Sequence, residues 1–206
     1  MLEIFNFEQG TPEWYSSRLG IFTTSNGDKV LPSEKPTVTE KKTRLKYLHQ
    51  LAGEVVTGKP TDSYTNAAMA RGHEMEPDAR AAYEFLHDQK VETVGFVRNG
   101  PNGSSPDGLI GANGAIEIKS KQPNVLIPVL KSDEFPAEHK AQCQGVLWIC
   151  EREWIDLICY WPEMPLFVKR AYRDEAYIKK LSEAVAQFND ERDELVQWLR
   201  NYGVAA

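Results

Sequence analysis

Asp107 lies in Ser105-Pro106-Asp107-Gly108 and is followed, after a glycine-rich turn, by Glu117-Ile118-Lys119. Ile116 and Ile118 alternate with Glu117, Lys119 and Lys121. On a strand, one face is then apolar and the other carries a carboxylate and two ammonium groups. Residues two apart sit ~7 Å apart on that face, so a hard oxygen ligand and a cation reach one small volume. Two carboxylates and the intervening Ile118 carbonyl suit Mg²⁺. Such an ion lowers the pKa of bound water and clamps phosphate oxygens, the needs of phosphodiester hydrolysis. Lys119 can orient or deprotonate the attacking water, or hold phosphate by charge.

A short pattern of this kind also occurs on solvated hairpins; its neighbours in sequence add weight. Glu76 falls on a helical stripe with Met69, Gly72, Ala79 and Tyr83, which directs it inward. A buried carboxylate needs a partner, and a metal is a natural one; Glu74 competes but reads as solvent-facing. Further on comes Gln142-x-Gln144, amides able to bond a phosphate or a metal-bound water; Gln144 is the favoured one. Arg18 and Ser25 flank a break between two short helices, where hydroxyls, an arginine and a helix start can seat a phosphate. The plainer reading is that Thr24 or Ser25 only caps the helix. Lys41, Lys42, Arg44 and Lys46, interleaved with acids and apolar residues, read as a solvated face, with contact to the DNA backbone as the alternative.

These groups need elements to hold them. Thr11-Pro12-Glu13-Trp14 starts a helix that stops at Gly20. Longer helices are expected over about 38–57, 66–87, 136–150 and 175–201, with Pro77 kinking the second or opening a new first turn. Strands are expected over 91–97, 105–110, 115–120, 154–161 and 166–172. The turn Gly111-Ala112-Asn113-Gly114 signals a hairpin. A two- or four-residue loop would put Asp107 on the face opposite Glu117; an odd loop, or a local break at Pro106, brings them together. The fold class is α/β, a central mixed sheet flanked by helices.

With 206 residues, one domain over 1–206 is the default. The formal net charge of -6 argues against indiscriminate coating of nucleic acid. No apolar run approaches the ~20 residues of a membrane span, and the acidic opening Met1-Leu2-Glu3 is unlike a signal peptide, so an intracellular location is expected. Cys143, Cys150 and Cys159 form no C-x-x-C pair and read as buried thiols.

Five motifs in order carry a resemblance: Trp14-x-x-x-Arg18-Leu19-Gly20 with Thr23-x-Ser25; Gly72-x-x-x-Glu76-x-Asp78-Ala79-Arg80; Ser105-Pro106-Asp107-Gly108; Glu117-Ile118-Lys119; and Ala141-Gln142-Cys143-Gln144. Together they resemble the phage lambda exonuclease family, the YqaJ-like viral recombinases, within the PD-(D/E)xK nuclease superfamily with its restriction-endonuclease-like core. The resemblance implies metal ligation by Asp107, Glu117 and the Ile118 carbonyl, with Glu76 at a second position. It implies two Mg²⁺ per site, with Mn²⁺ as an alternative ion. Lys119 becomes the catalytic lysine and Gln144 a site amide. Arg18, Ser25 and Ser105 hold the 5′-terminal phosphate of DNA, and Met69 is the wedge at the terminal base pair. A ring-shaped homotrimer, processive 5′→3′ digestion of duplex DNA to leave 3′ overhangs, a single-strand annealing partner and work in the cytoplasm of a bacterial host are implied in the same way. The segment between Lys121 and His139 is shorter than in the family's best-known member, and Pro77 beside Glu76 is a departure.

Two other classes compete. A PD-(D/E)xK endonuclease, or the nuclease module of a repair complex, would keep the metal site; an iron–sulfur version is disfavoured because three cysteines cannot supply four ligands. A non-catalytic DNA-binding protein is opposed by the intact Asp107, Glu117 and Lys119.

Overall fold

The structure is a computed structural model describing residues 1–31, 33–61 and 67–203, without the side chains of 67–70. Among the described residues, eight strands build two four-stranded sheets. In the first, β1 (Leu2–Phe5), β2 (Phe22–Thr23), β3 (Phe96–Asn99) and β4 (Asn102–Ser104) take the order β1-β3-β4-β2. In the second, β5 (Gly108–Ile110), β6 (Gly114–Ser120), β7 (Trp154–Tyr160) and β8 (Phe167–Tyr172) lie in sequence order. The β6–β7 pair is parallel and both outer pairs are antiparallel. A parallel pair needs a crossover, and here it carries α5 (Pro123–Ser132) and α6 (Lys140–Ile149). The other helices are α1 (Pro12–Ser17), α2 (Gly27–Val30), α3 (Val38–Thr57), α4 (Ala67–His87) and α7 (Glu175–Asn201).

Alternation along β6 separates two packing surfaces. Ile116, with Ile158 and Val91, packs on Tyr83 of α4. Ala115, Leu157 and Cys159 pack on Cys143, Val146 and Leu147 of α6. All three cysteines are buried thiols, as small apolar residues would be. A third cluster joins α3 to α7 through Tyr47, Leu48, Leu51, Leu181, Val185 and Phe188. Helix α3 opens on a capping box between Thr37 and Glu40 and ends at Gly58, whose φ of 65° is the left-handed value an L side chain resists.

The hairpin turn has the odd length that the site requires. Ile110 pairs with Gly114 and Gly108 with Ile116, so three residues, Gly111 to Asn113, make the loop. One step further along this register sets Asp107 opposite Glu117. The strand expected from Ser105 begins only at Gly108, because Pro106 offers no N–H to a ladder. The strand expected over 91–97 reduces to a bridge between Glu92 and Leu109 and then β3. The second short helix expected at Thr24 or Ser25 is preceded by β2 and a 3-10 turn over Thr24–Asn26, and α2 begins only at Gly27. There the Thr24 and Ser104 hydroxyls bond each other at 2.9 Å, so Thr24 is no helix cap. Helix α4 continues through Pro77 without a new start. Among the described residues no helix is long and apolar enough to cross a membrane.

Candidate active site

Glu117 is only 2% exposed, yet its two oxygens differ. Oε1 accepts from Lys119 Nζ at 2.8 Å and from Gln142 Nε2 at 2.6 Å. Gln142 also accepts from Lys119 Nζ at 3.0 Å, which closes a three-membered ring of contacts. Oε2 is buried without a hydrogen-bond partner. Asp107 reaches the same strand from the hairpin's other arm, its Oδ2 accepting the Ile118 N–H at 2.6 Å. In a strand, the N–H and C=O of one residue face the same neighbour, so the Ile118 carbonyl shares that edge with Asp107.

Glu76 approaches from α4. Arg80, one turn on, donates to the Glu76 carboxylate and, at 3.1 Å, to the Asp107 carbonyl. A cleft of about 430 Å³ opens here, walled by Phe7, Gln9, Glu76, Arg80, Val94 and Asp107. Burial, then the charges of Glu117 and Glu76, push the Asp107 carboxyl well above its usual range. Burial also pushes Glu76 up, against the pull of Arg80 and His73. Burial would lower the Lys119 ammonium, but contact with Glu117 and the nearby Asp107 outweigh it and hold its pKa up. The site is therefore a set of carboxylates in excess of the cations that face them.

This donor set fits a hard divalent cation. A buried, unpartnered carboxylate oxygen is costly unless something positive meets it. The second Glu117 oxygen is such an atom, and the free oxygen of Asp107 and the Ile118 carbonyl are the same hard chemistry. Among the described residues no three acidic, histidine or cysteine side chains are grouped so as to hold a metal ion by themselves. Mg²⁺ asks for less: one or two carboxylates, with water and substrate oxygens completing its shell.

A second cleft, about 350 Å³, is lined by Arg18, Thr23, Asn26, Lys29, Glu54 and His73 among others. His73 and Glu76 are one helical turn apart, so α4 forms a wall of both clefts. Arg18 lies over the Trp14 ring at 3.8 Å and donates to Ser105 Oγ at 2.9 Å. Burial lowers the Arg18 pKa to about 10, which leaves it charged at neutral pH. The Ser105 hydroxyl also accepts from Trp14 Nε1 at 3.0 Å and donates to the Gly95 carbonyl at 2.8 Å. It serves to hold Arg18, two residues before Asp107.

The sequence-predicted residues thus divide. Asp107, Glu117, Ile118, Lys119 and Glu76 come together, and Arg18 meets Ser105. Ser25 is exposed, and the cleft is lined by Thr23 and Asn26 on either side of it in sequence. Met69 falls on α4, but its side chain lies outside the described residues. Gln144 is a correction. It points away from the acids, donating to the Tyr172 carbonyl at 2.9 Å and accepting the Asp174 N–H at 2.8 Å, where α7 begins. Residues two apart on a helix face different ways, and Gln142 takes the place beside Glu117. The signal was its spacing: four before Val146 and eight before Cys150, both fully covered. Lys29, Arg80 and Glu54 were also missed as cleft residues.

The model of the YqaJ-like viral recombinase domain matches residues 13–153. No curated protein matches the chain. The fold is similar to that of an alkaline exonuclease (LHK-Exo) from Laribacter hongkongensis, at 31% identity and a TM-score of 0.84, over 94% of this chain and 98% of that one. A structure of LHK-Exo in complex with dAMP gives 31% identity and 0.83 over the same shares. A phage related exonuclease from Haemophilus somnus 129PT shares the fold, at 15% identity and 0.66, over 87% of this chain and 96% of that one. The sheet carrying Asp107, Glu117 and Lys119 is a PD-(D/E)xK-type core. The family match spans Arg18, Glu76, the acid hairpin and Gln142, and the chain belongs to the YqaJ-like viral recombinase family.

Proposed function

We propose that this chain is a Mg²⁺-dependent exonuclease that digests the 5′-ended strand of duplex DNA, releases mononucleotides and leaves a 3′ overhang. Family membership and likeness to an alkaline exonuclease support hydrolysis of DNA. The observation that carries the reading is the buried, unpartnered Glu117 oxygen, in a carboxylate ringed by Lys119 and Gln142. Asp107, Glu117 and the Ile118 carbonyl would hold the metal, and Glu76 would serve a second one. When bound, the ion supplies a nucleophilic water at neutral pH and stabilises the charge developing on phosphate. Lys119, an ammonium 2.8 Å from Glu117, would meet the phosphate as a positive charge. Gln142 fixes that ammonium, and Arg80 holds Glu76 against the Asp107 segment.

Polarity follows from the second cleft. Arg18, stacked on Trp14 and bonded to Ser105, would bind the 5′-terminal phosphate. Ser105 is two residues from Asp107, so capture of the end sets the distance to the scissile bond. Residues 1–206 would act as one nuclease domain, in a ring-shaped homotrimer that keeps hold of its duplex. A single-strand annealing protein would take over the overhang, in the cytoplasm of a bacterial host.

The test is digestion of duplexes labelled at either end, with 5′-phosphate or 5′-hydroxyl termini, with and without EDTA. Release of label from 5′-phosphorylated ends first, abolished by EDTA, is expected. Cleavage of covalently closed circles at an equal rate would replace this reading with an endonuclease.

A further inference from the structure

Two of the buried charged side chains lie outside the acid cluster and meet at one backbone position. Glu54 on α3 and Arg192 on α7 are each 7% exposed. Burying an ion costs several kcal/mol unless its bonds are well satisfied. Among the described residues Glu54 has no ion-pair partner, and the partner of Arg192 is the exposed Asp193. Both side chains instead grip the backbone of one residue. Glu54 Oε2 accepts the Gly20 N–H at 3.1 Å, and Arg192 donates to the Gly20 carbonyl at 2.8 Å.

Gly20 sits two residues after Arg18, with a left-handed φ of 66°. A Cβ there would run into the Val55 methyl, so α3 presses directly on this backbone. The Ile21 N–H bonds the Arg18 carbonyl at 3.0 Å, so a shift at Gly20 passes to Arg18. The other Glu54 oxygen accepts from Gln50 at 3.0 Å and from the Thr61 N–H at 3.3 Å. Thr61 and Arg18 both line the second cleft. One carboxylate therefore ties the Arg18 segment to the segment bearing Thr61, and Arg192 locks the first of these from behind.

We infer that Glu54 and Arg192 are positioning residues that set the width of the Arg18 cleft and so make the enzyme prefer 5′-phosphorylated ends. The inference rests on the reading of that cleft as the phosphate site. In Glu54→Gln the side-chain amide can no longer accept at both ends, so one segment is released. Arg192→Lys keeps the charge and loses the guanidinium geometry that reaches Gly20.

The experiment measures kcat and KM on 5′-phosphate and 5′-hydroxyl duplexes for wild type, Glu54→Gln, Arg192→Lys and Arg18→Ala, with thermal melting of each protein. The expected result is a fall of about tenfold in phosphate preference for Glu54→Gln and Arg192→Lys, seen in KM for phosphorylated ends, since small misplacements of a binding group have effects of that order or more. A purely structural role would lower the melting temperature and leave the preference intact, which overturns the inference. Should Glu54→Gln not fold, Arg192→Lys decides by the same criterion. Loss of preference in Arg18→Ala with none in the other two sinks the clamp alone. An unchanged preference in Arg18→Ala sinks the phosphate site and the clamp with it.

Discussion

Gln142 donates to Glu117 at 2.6 Å and accepts from Lys119 at 3.0 Å, which makes this amide the link between the buried acid and its ammonium. Gln142→Ala is expected to lower kcat by about 10–100-fold, the range typical for partners that orient a metal-binding group. Gln144→Ala should do the opposite. It leaves the Tyr172 carbonyl and the Asp174 N–H without their partner, costing roughly 2–3 kcal/mol of stability, while turnover per folded molecule stays near wild type. Steady-state kinetics beside urea denaturation separates the two.

The unpartnered Glu117 oxygen predicts a metal effect visible without DNA. Mg²⁺ at about one hundred times its Kd should stabilise the protein by about 2.7 kcal/mol, or about 5–10 °C in melting temperature for a chain of this size. Glu117→Gln and Asp107→Asn should abolish the shift. A wild-type melting curve insensitive to Mg²⁺ and Mn²⁺ would count against the donor set.

His139 predicts acid sensitivity. Burial, reinforced by Lys121 and Lys119, holds its pKa near 4, below the ordinary 6.5, and its Nε2 is buried without a hydrogen bond. The folded protein thus keeps a neutral imidazole that the unfolded chain protonates more readily. Its stability is complete above pH 6.5 and is lost as pH falls from 6.5 towards 4, by at most about 3 kcal/mol. Denaturation curves across that window should show a shallower loss for His139→Gln than for wild type.

Asp156 predicts a coupled loss. It is 2% exposed, accepts from the Tyr83 hydroxyl at 2.6 Å and takes two bonds from Arg170 at 2.8 Å. Tyr83→Phe removes one hydrogen bond between α4 and the sheet and should cost about 1.5–3 kcal/mol. Arg170→Met strands a buried charge and should cost more, about 3–5 kcal/mol. Chemical denaturation of both variants and their double mutant measures the coupling.

Long periodic elements were legible in the sequence. Helix α3 and helix α7 have the expected bounds because caps and apolar spacing agree over many turns. The acid hairpin was legible because alternation on β6 and the glycine turn constrain each other. Strands β1, β2 and β4, of two to four residues, are too short to show a period, and β1 and β2 also depend on partners distant in sequence. Helix α5 was not assigned from the sequence; it carries Pro123 and Pro128, which obscure a helical pattern. Gln142 and Gln144 show the limit within the site: residue type pointed to an amide, and the spacing of Gln142 from Val146 and Cys150 was the clue to which one. Glu54 and Arg192 left no local signal, since each bonds the backbone of a residue far away in sequence.

The three-residue turn between β5 and β6 has a consequence for how this chain can vary. Surface hairpin tips normally absorb insertions and deletions at little cost. Here, adding or removing one residue changes the parity of the loop and turns Asp107 away from Glu117. A length change at an exposed, chemically inert tip would therefore disarm the site as thoroughly as deleting an acid, with every reactive side chain still encoded.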